Sequence, residues 1–206
     1  MCRYTSGRAT NLISMELERL YGRSVGRFAE LVRGVPADGW ARPTPCTDWD
    51  VRALVNHVVG EQRWSVPLFE GATIADVGDR LDGDLLGGDP VGSAGDAAAE
   101  TAAVVSAPGA LDRTVHLSFG DTPATEYVNQ LLADHLVHGW DLAVASGADR
   151  SLDPEIVRYC AAWFADVEEM YRKAGFIGPR TSVGAGASDQ DRLLAAFGRD
   201  PDWSPA

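Results

Sequence analysis

The sequence predicts an all-α bundle, and three observations carry that reading. Apolar residues recur at helical spacing over several long stretches, those stretches are bounded by proline, glycine and capping residues, and one short segment switches to the alternation of a strand. Long helices joined by short breaks, with no internal repeat, are the pattern of a helical bundle. At 206 residues, 45% of them hydrophobic, the chain is long enough to bury one sizeable core, so a single domain over residues 1–206 is expected.

The first helix is expected over Leu12–Val35, where Ile13, Leu17, Leu20, Tyr21, Phe28, Leu31, Val32 and Val35 fall at helical spacing and Pro36 stops the pattern. Pro43-Thr-Pro-Cys-Thr47 reads as a turn-rich connector. It leads into Thr47-Asp-Trp-Asp50, which has the form of a capping box, with Thr47 as the cap of a second helix from about Asp48 to Trp64. That helix carries two apolar stripes: Val51, Leu54, Val55 and Val58 on one side, and Trp49, Ala53, His57, Gly60 and Trp64 on the other, which places His57 in a Trp-lined seam away from bulk water. Residues 71–95 are rich in Gly and Asp, are broken at Pro90, and read as a long loop with a helical turn. A third helix is expected from Asp96 to Ala107, ended by Pro108-Gly109.

The period then changes. Val115, Leu117 and Phe119 alternate with Thr114, His116 and Ser118, which predicts a short strand or extended segment before Gly120-Asp121. Thr122-Pro123 has the form of a cap followed by proline at the first helical position, opening a fourth helix that runs to about Ser146 and stops at Gly147. Asp153-Pro154 opens a fifth in the same way, with Ile156, Tyr159, Cys160, Trp163, Val167, Met170 and Tyr171 on one side and Gly175 at its end. The tail to Ala206 is expected to be mostly irregular, with Ser188-Asp-Gln-Asp191 capping a short helix around Leu193, Leu194 and Phe197.

A formal net charge of −12 argues against nucleic acid or an anionic membrane surface as the main partner, because both reward clustered Lys and Arg. Small molecules are the expected partners. Cys2, Cys46 and Cys160 are odd in number and widely spaced, the N-terminus lacks the apolar run of a signal peptide, and no stretch approaches the roughly 20 apolar residues of a membrane span. Free thiols in a reducing cytoplasm are the expectation.

The chemistry concentrates in the fourth helix. Asp134 and His138 lie one turn apart in Asp134-His-Leu-Val-His138-Gly-Trp-Asp, on the stripe that Tyr127, Leu131, Leu142 and Ala145 direct toward the core. A carboxylate and an imidazole on a core face must be paired, coordinated or shifted in pKa. A divalent metal satisfies both, and His57 from the second helix is the candidate third ligand, which leaves a coordination position open for water or substrate. Zinc is the default ion for mixed nitrogen and oxygen donors, and nickel or iron bind similar sets. The ordinary reading of any one of these residues alone is a hydrogen-bonded core side chain. His135 competes with Asp134 for the ligand role, but it falls at the edge of the stripe and is expected at the solvent or an interface. Asp141 follows His138 by three residues and can accept its ring N–H or, equally, cap a neighbouring element. Glu61, one turn beyond His57, is the candidate proton acceptor, against the plainer reading of a salt bridge or solvated surface. Cys46 stands just ahead of a helix N-terminus, where a thiolate is stabilised, although a small buried hydrophobe is the simpler reading. His116 is expected to be exposed, and the six tryptophans to sit in the core.

Two segments, Pro43-Thr-Pro-Cys-Thr-Asp-Trp-Asp-Val-Arg-Ala-Leu-Val-Asn-His57 and Asp134-His-Leu-Val-His138-Gly-Trp-Asp-Leu-Ala143, resemble an actinobacterial metal-binding protein family. That family is related to the N-terminal domain of mycothiol-dependent maleylpyruvate isomerase, within the DinB-like superfamily. The tail Gln190-Asp-Arg-Leu-Leu-Ala-Ala-Phe-Gly-Arg-Asp-Pro-Asp-Trp203 is similar to the ending of the same family, so the resemblance covers most of the chain. It implies a DinB-like four-helix bundle whose metal is held by one histidine of the second helix and an acid-x-x-x-histidine pair of a later one, here His57, Asp134 and His138. Asp134 stands where the isomerase has Glu. The resemblance also implies mycothiol as cosubstrate, an electrophilic small-molecule substrate, and a homodimer. Three readings follow: a metal- and thiol-dependent transferase or isomerase, a metal-dependent hydrolase, and a non-enzymatic metal-binding or interaction protein.

Overall fold

A computed structural model describes residues 6 to 205, with side chains from residue 14 onward; the thiol of Cys2 and the side chain of Ile13 lie outside the described residues. In chain order the elements are α1 (Ser6–Arg33), α2 (Val51–Phe69), α3 (Ile74–Val77), α4 (Pro90–Val105), β1 (Thr114–Leu117), β2 (Gly120–Pro123), α5 (Ala124–Ser146), α6 (Pro154–Lys173) and α7 (Asp189–Ala196). The fold is the all-α, DinB-like class with one small added hairpin. Among the described residues no helix is long and apolar enough to cross a membrane. The chain divides into two compact units: residues up to Ala29 with Asn56–Leu132, and Glu30–Val55 with Ala133 onward.

The first unit buries the stripe foreseen on α1, with Leu17, Leu20, Tyr21 and Phe28 almost wholly removed from solvent, and Val58, Val59, Leu68 and Phe69 of α2. Ala94, Ala97, Ala98 and Val105 are the buried face of α4. Tyr21 carries a hydroxyl into this apolar setting, and the hydroxyl is hydrogen-bonded to Thr101 Oγ1 at 2.7 Å, which is itself bonded to Ser65 Oγ at 2.8 Å. Helix α4 begins six residues before the expected Asp96. Pro90 starts the helix rather than breaking it, because its missing N–H falls where no helical bond is required, and Asp89 caps by accepting from Gly92 N. The expected helical turn in the 71–95 loop is α3, closed by a capping box between Thr73 and Asp76.

The extended segment is one arm of an antiparallel hairpin, with Thr114 opposite Pro123 and Leu117 opposite Gly120. Thr122 and Pro123 are therefore strand residues and not the cap and first residue of a helix. A proline is tolerated at the end of a two-stranded ladder, where no outer strand needs its N–H, and α5 starts at Ala124, whose N–H donates to Arg113 O. Val115 is buried as the alternation requires, but Phe119 lies at the turn and is 58% exposed. His116 is partly exposed and pairs with Asp121 across the hairpin at 2.7 Å.

In the second unit the closing residues of α1 and the opening ones of α2 are buried: Leu31, Val32, Val51, Leu54 and Val55. Helix α2 starts at Val51, three residues later than expected, and Thr47 is not its cap. The Thr44 hydroxyl donates to Cys46 O and Trp49 O, and Val51 N donates to Arg42 O, so residues 43–50 form a closed loop. Asp50 caps instead, accepting from Ala53 N at 2.8 Å. The helix also runs past Trp64 to Phe69, with Pro67 in its last turn. Helix α6 is capped by Asp153 as expected, but its buried face is Ile156, Val157, Cys160 and Phe164, and Met170 is exposed. The tail helix α7 has the foreseen Ser188/Asp191 capping box and buries Leu193 and Leu194. Phe164 and Phe197 stack at 4.1 Å. Of the six tryptophans, only Trp140 is fully buried. The others are half-buried, as large amphipathic rings commonly are.

Candidate functional site

Helix α5 is buried around most of its circumference from Leu131 to Ala145, not along one stripe. That is why His135, expected at the solvent or an interface, is 1% exposed. Asp134, His138 and Asp141 stand at positions i, i+4 and i+7 and so share a face of this buried helix. His138 links the two carboxylates: its Nε2 is 3.2 Å from Asp134 Oδ1, and its Nδ1 is 3.0 Å from Asp141 Oδ2. The ring of Trp49, from the loop before α2, packs at 5.5 Å from the imidazole.

Asp141 has no exposed surface, so its charge must be answered by neighbours. Arg199 answers it together with His138. Its Nε donates to Asp141 Oδ1 and Oδ2 at 3.2 and 3.3 Å, and its Nη2 to Oδ2 at 2.8 Å. The same Nη2 donates to Cys46 Sγ at 2.9 Å, and the Cys46 thiol donates to Asp141 Oδ2 at 3.4 Å. Cys46 is thus neither a buried hydrophobe nor an isolated thiol but part of a polar cluster, 3.9 Å from His138 Nδ1.

The electrostatics follow from this packing. Burial opposes the charge on His138, but the charge and hydrogen bond of Asp134, with hydrogen bonds from Asp141 and Cys46, outweigh it and hold the imidazole pKa well above its ordinary value. Burial likewise opposes ionisation of Asp141, and the hydrogen bonds of His138 and Arg199 overcome it, leaving the carboxyl below the usual range. Arg199 is held more firmly protonated by Asp141 in spite of its own burial.

Of the residues singled out in the sequence, Asp134, His138 and Asp141 come together in the second unit, with Asp141 in the foreseen role of accepting the imidazole N–H. His57 and Glu61 lie one turn apart on α2, both half-buried, in the residues of the first unit. Cys46, His138 and Asp141 present donors close enough together to share an ion. Their chemistry argues against it, because the Arg199 guanidinium already occupies the space that a second cation would need. On the other side of His138, the Asp134 oxygen and the imidazole Nε2 are a fitting donor pair for zinc.

Sequence reasoning missed Arg199. Nothing in residue spacing connects position 199 to position 141. The available signal was indirect: a carboxylate on a core helix requires a cation, and few Lys or Arg residues are offered by a chain with only 18 of them.

Residues 21–143 match the family model described as the mycothiol maleylpyruvate isomerase N-terminal domain. Two relatives are uncharacterized proteins of Mycobacterium tuberculosis, one from strain CDC 1551 / Oshkosh and one from strain ATCC 25618 / H37Rv. Each is 36% identical over 159 residues, covering 74% of this chain and 80% of the relative. No solved structure matches.

Proposed function

Because the chain belongs to the mycothiol maleylpyruvate isomerase N-terminal domain family, we propose that it is a metal-dependent enzyme that joins a low-molecular-weight thiol, of the mycothiol kind, to an electrophilic small molecule. The observation that carries this reading is the seating of His138. A metal-ligating histidine characteristically gives its second ring N–H to a carboxylate, and the Nδ1 contact with Asp141 leaves Nε2 directed at Asp134.

In this reading Asp134 and His138 hold a divalent ion with His57 as the third ligand, zinc being the expected metal and nickel or iron the alternatives. When bound, such an ion lowers the pKa of a coordinated thiol or water toward neutrality. Asp141 orients His138 and Trp49 walls its ring from the loop side. Glu61, half-buried one turn beyond His57, accepts the thiol proton as the new carbon–sulfur bond forms.

The test supplies zinc-loaded protein with mycothiol and an aryl halide, following the sulfur–carbon conjugate and the released halide. Conjugate formation that requires both thiol and metal, and falls in Glu61→Gln, is the expected result. Turnover that proceeds equally well without thiol would replace this reading with metal-assisted hydrolysis.

A further inference from the structure

We propose that Arg199 is a positioning residue for His138: by clamping Asp141 it fixes the ring so that Nε2 faces Asp134. The C-terminal tail would then supply a part of the centre that lies outside the matched segment, residues 21–143. The consequence for metal binding rests on the reading of His138 as a ligand; the clamp on the ring does not.

Asp141 is the hub of the clamp. Its Oδ2 receives His138 Nδ1, Arg199 and the Cys46 thiol, while its Oδ1 receives Arg199 Nε. Arg199 engages both oxygens and thereby sets the plane of the carboxylate. A carboxylate free to turn about its Cβ–Cγ bond would not hold an imidazole in one orientation. A guanidinium suits this task better than an ammonium, because its rigid fork presents several N–H donors at fixed angles. Here the fork reaches Asp141 and Cys46 together, tying the loop before α2 to α5.

The side chain is itself held in place. Arg199 N donates to Leu194 O at 2.9 Å, and its Nη1 to Phe197 O at 3.0 Å. Between them Gly198, at φ +77°, turns the chain back at the end of α7; a Cβ there would lie 3.2 Å from Pro179 O. Beyond it, Arg150 Nη2 donates to Pro201 O and Trp203 O, and Trp203 packs on the buried cluster of Trp140, Val144 and Leu194. Anchors on both sides of Arg199 deliver its guanidinium to a fixed position, which is what a residue acting through another must have.

The experiment uses the full chain and two readouts. Nitrogen-resolved NMR of the metal-free protein follows the His138 ring N–H, assigned by its loss in His138→Gln. Competition with a chromophoric chelator gives the zinc affinity. In the wild type a slowly exchanging His138 Nδ1–H is expected. In Arg199→Gln it exchanges rapidly, and the zinc dissociation constant rises by about 10–100-fold, the usual effect of losing an outer partner of a ligand. Arg199→Lys keeps the charge without the fork, so it tests the same point should the Gln variant fail to fold, and it weakens zinc binding in the same direction with its helical circular dichroism intact. An unchanged His138 resonance and unchanged zinc affinity in the folded variants would overturn the proposal. If the wild type binds no zinc, the metal reading falls, and the NMR comparison still decides whether Arg199 holds the ring.

Discussion

A carboxylate with no exposed surface persists only where its charge is answered, and Asp141 meets that condition through Arg199, His138 and Cys46. Breaking a buried pair by removing one partner typically costs about 3–5 kcal/mol, so this cluster constrains the second unit as well as the candidate site. Glu168 shows the milder version at the surface. Desolvation works against its charge, but hydrogen bonds from Arg180 and Arg172, with the charges of both, hold its carboxyl below the ordinary range. Arg172 also reaches Gly178 O and Ala196 O, so Glu168 braces the segment between α6 and α7. A depressed carboxylate contributes stability that is fully present above its unfolded pKa, about 4.3, and that is lost as pH falls through the lower folded value. These groups are partly exposed, which limits the contribution to about 1 kcal/mol. Urea unfolding of Glu168→Gln should therefore show a deficit of about that size at pH 7 that shrinks toward zero below about pH 4; a deficit independent of pH would mean that packing, not charge, accounts for it.

At the scale of elements, the sequence read helices well and their edges less well. Apolar periodicity located α1, α2, α5 and α6, because burial of one face is written into residue spacing. The starts of α2, α4 and α5 were misplaced for separate reasons. Thr47-Asp-Trp-Asp50 has the form of a capping box, but the Thr44 hydrogen bonds close the preceding loop around it and pass the cap to Asp50. Pro90 reads as a break in a Gly- and Asp-rich stretch, and it becomes a first helical residue because Asp89 caps the turn. Thr122-Pro123 became strand because pairing with Thr114 and Val115, which no local propensity encodes, prevailed. The α2 assignment has a direct check: Asp50→Ala should lower stability by about 1 kcal/mol, whereas Thr47→Ala, at an exposed position, should leave it nearly unchanged. The reverse order in thermal denaturation would restore Thr47 as the cap.

For the whole molecule, the legible and the illegible parts of the site divide by sequence distance. Asp134, His138 and Asp141 were readable together because one helix carries all three at fixed spacing. Cys46 and Arg199 reach the same cluster from 95 and 58 residues away from Asp141, and that convergence exists only after folding. His57, on α2, enters the proposed ligand set as the third ligand that the sequence offers and the resemblance implies. Helices α1, α2 and α5 each give residues to both compact units, and on that continuity we keep the single-domain reading as a proposal. The family places the chain beside a mycothiol-dependent enzyme domain, and the proposed function depends on a divalent ion held at Asp134 and His138.

The most direct test of that account is elemental analysis of the purified protein after dialysis against a mild chelator, with wild type beside His57→Ala, Asp134→Ala, His138→Ala and His135→Ala. About one metal per chain is expected in the wild type and in His135→Ala, with loss of metal in the other three. A wild type that takes up no zinc or nickel on reconstitution, or a His135→Ala variant that loses its metal while Asp134→Ala retains it, would contradict the account.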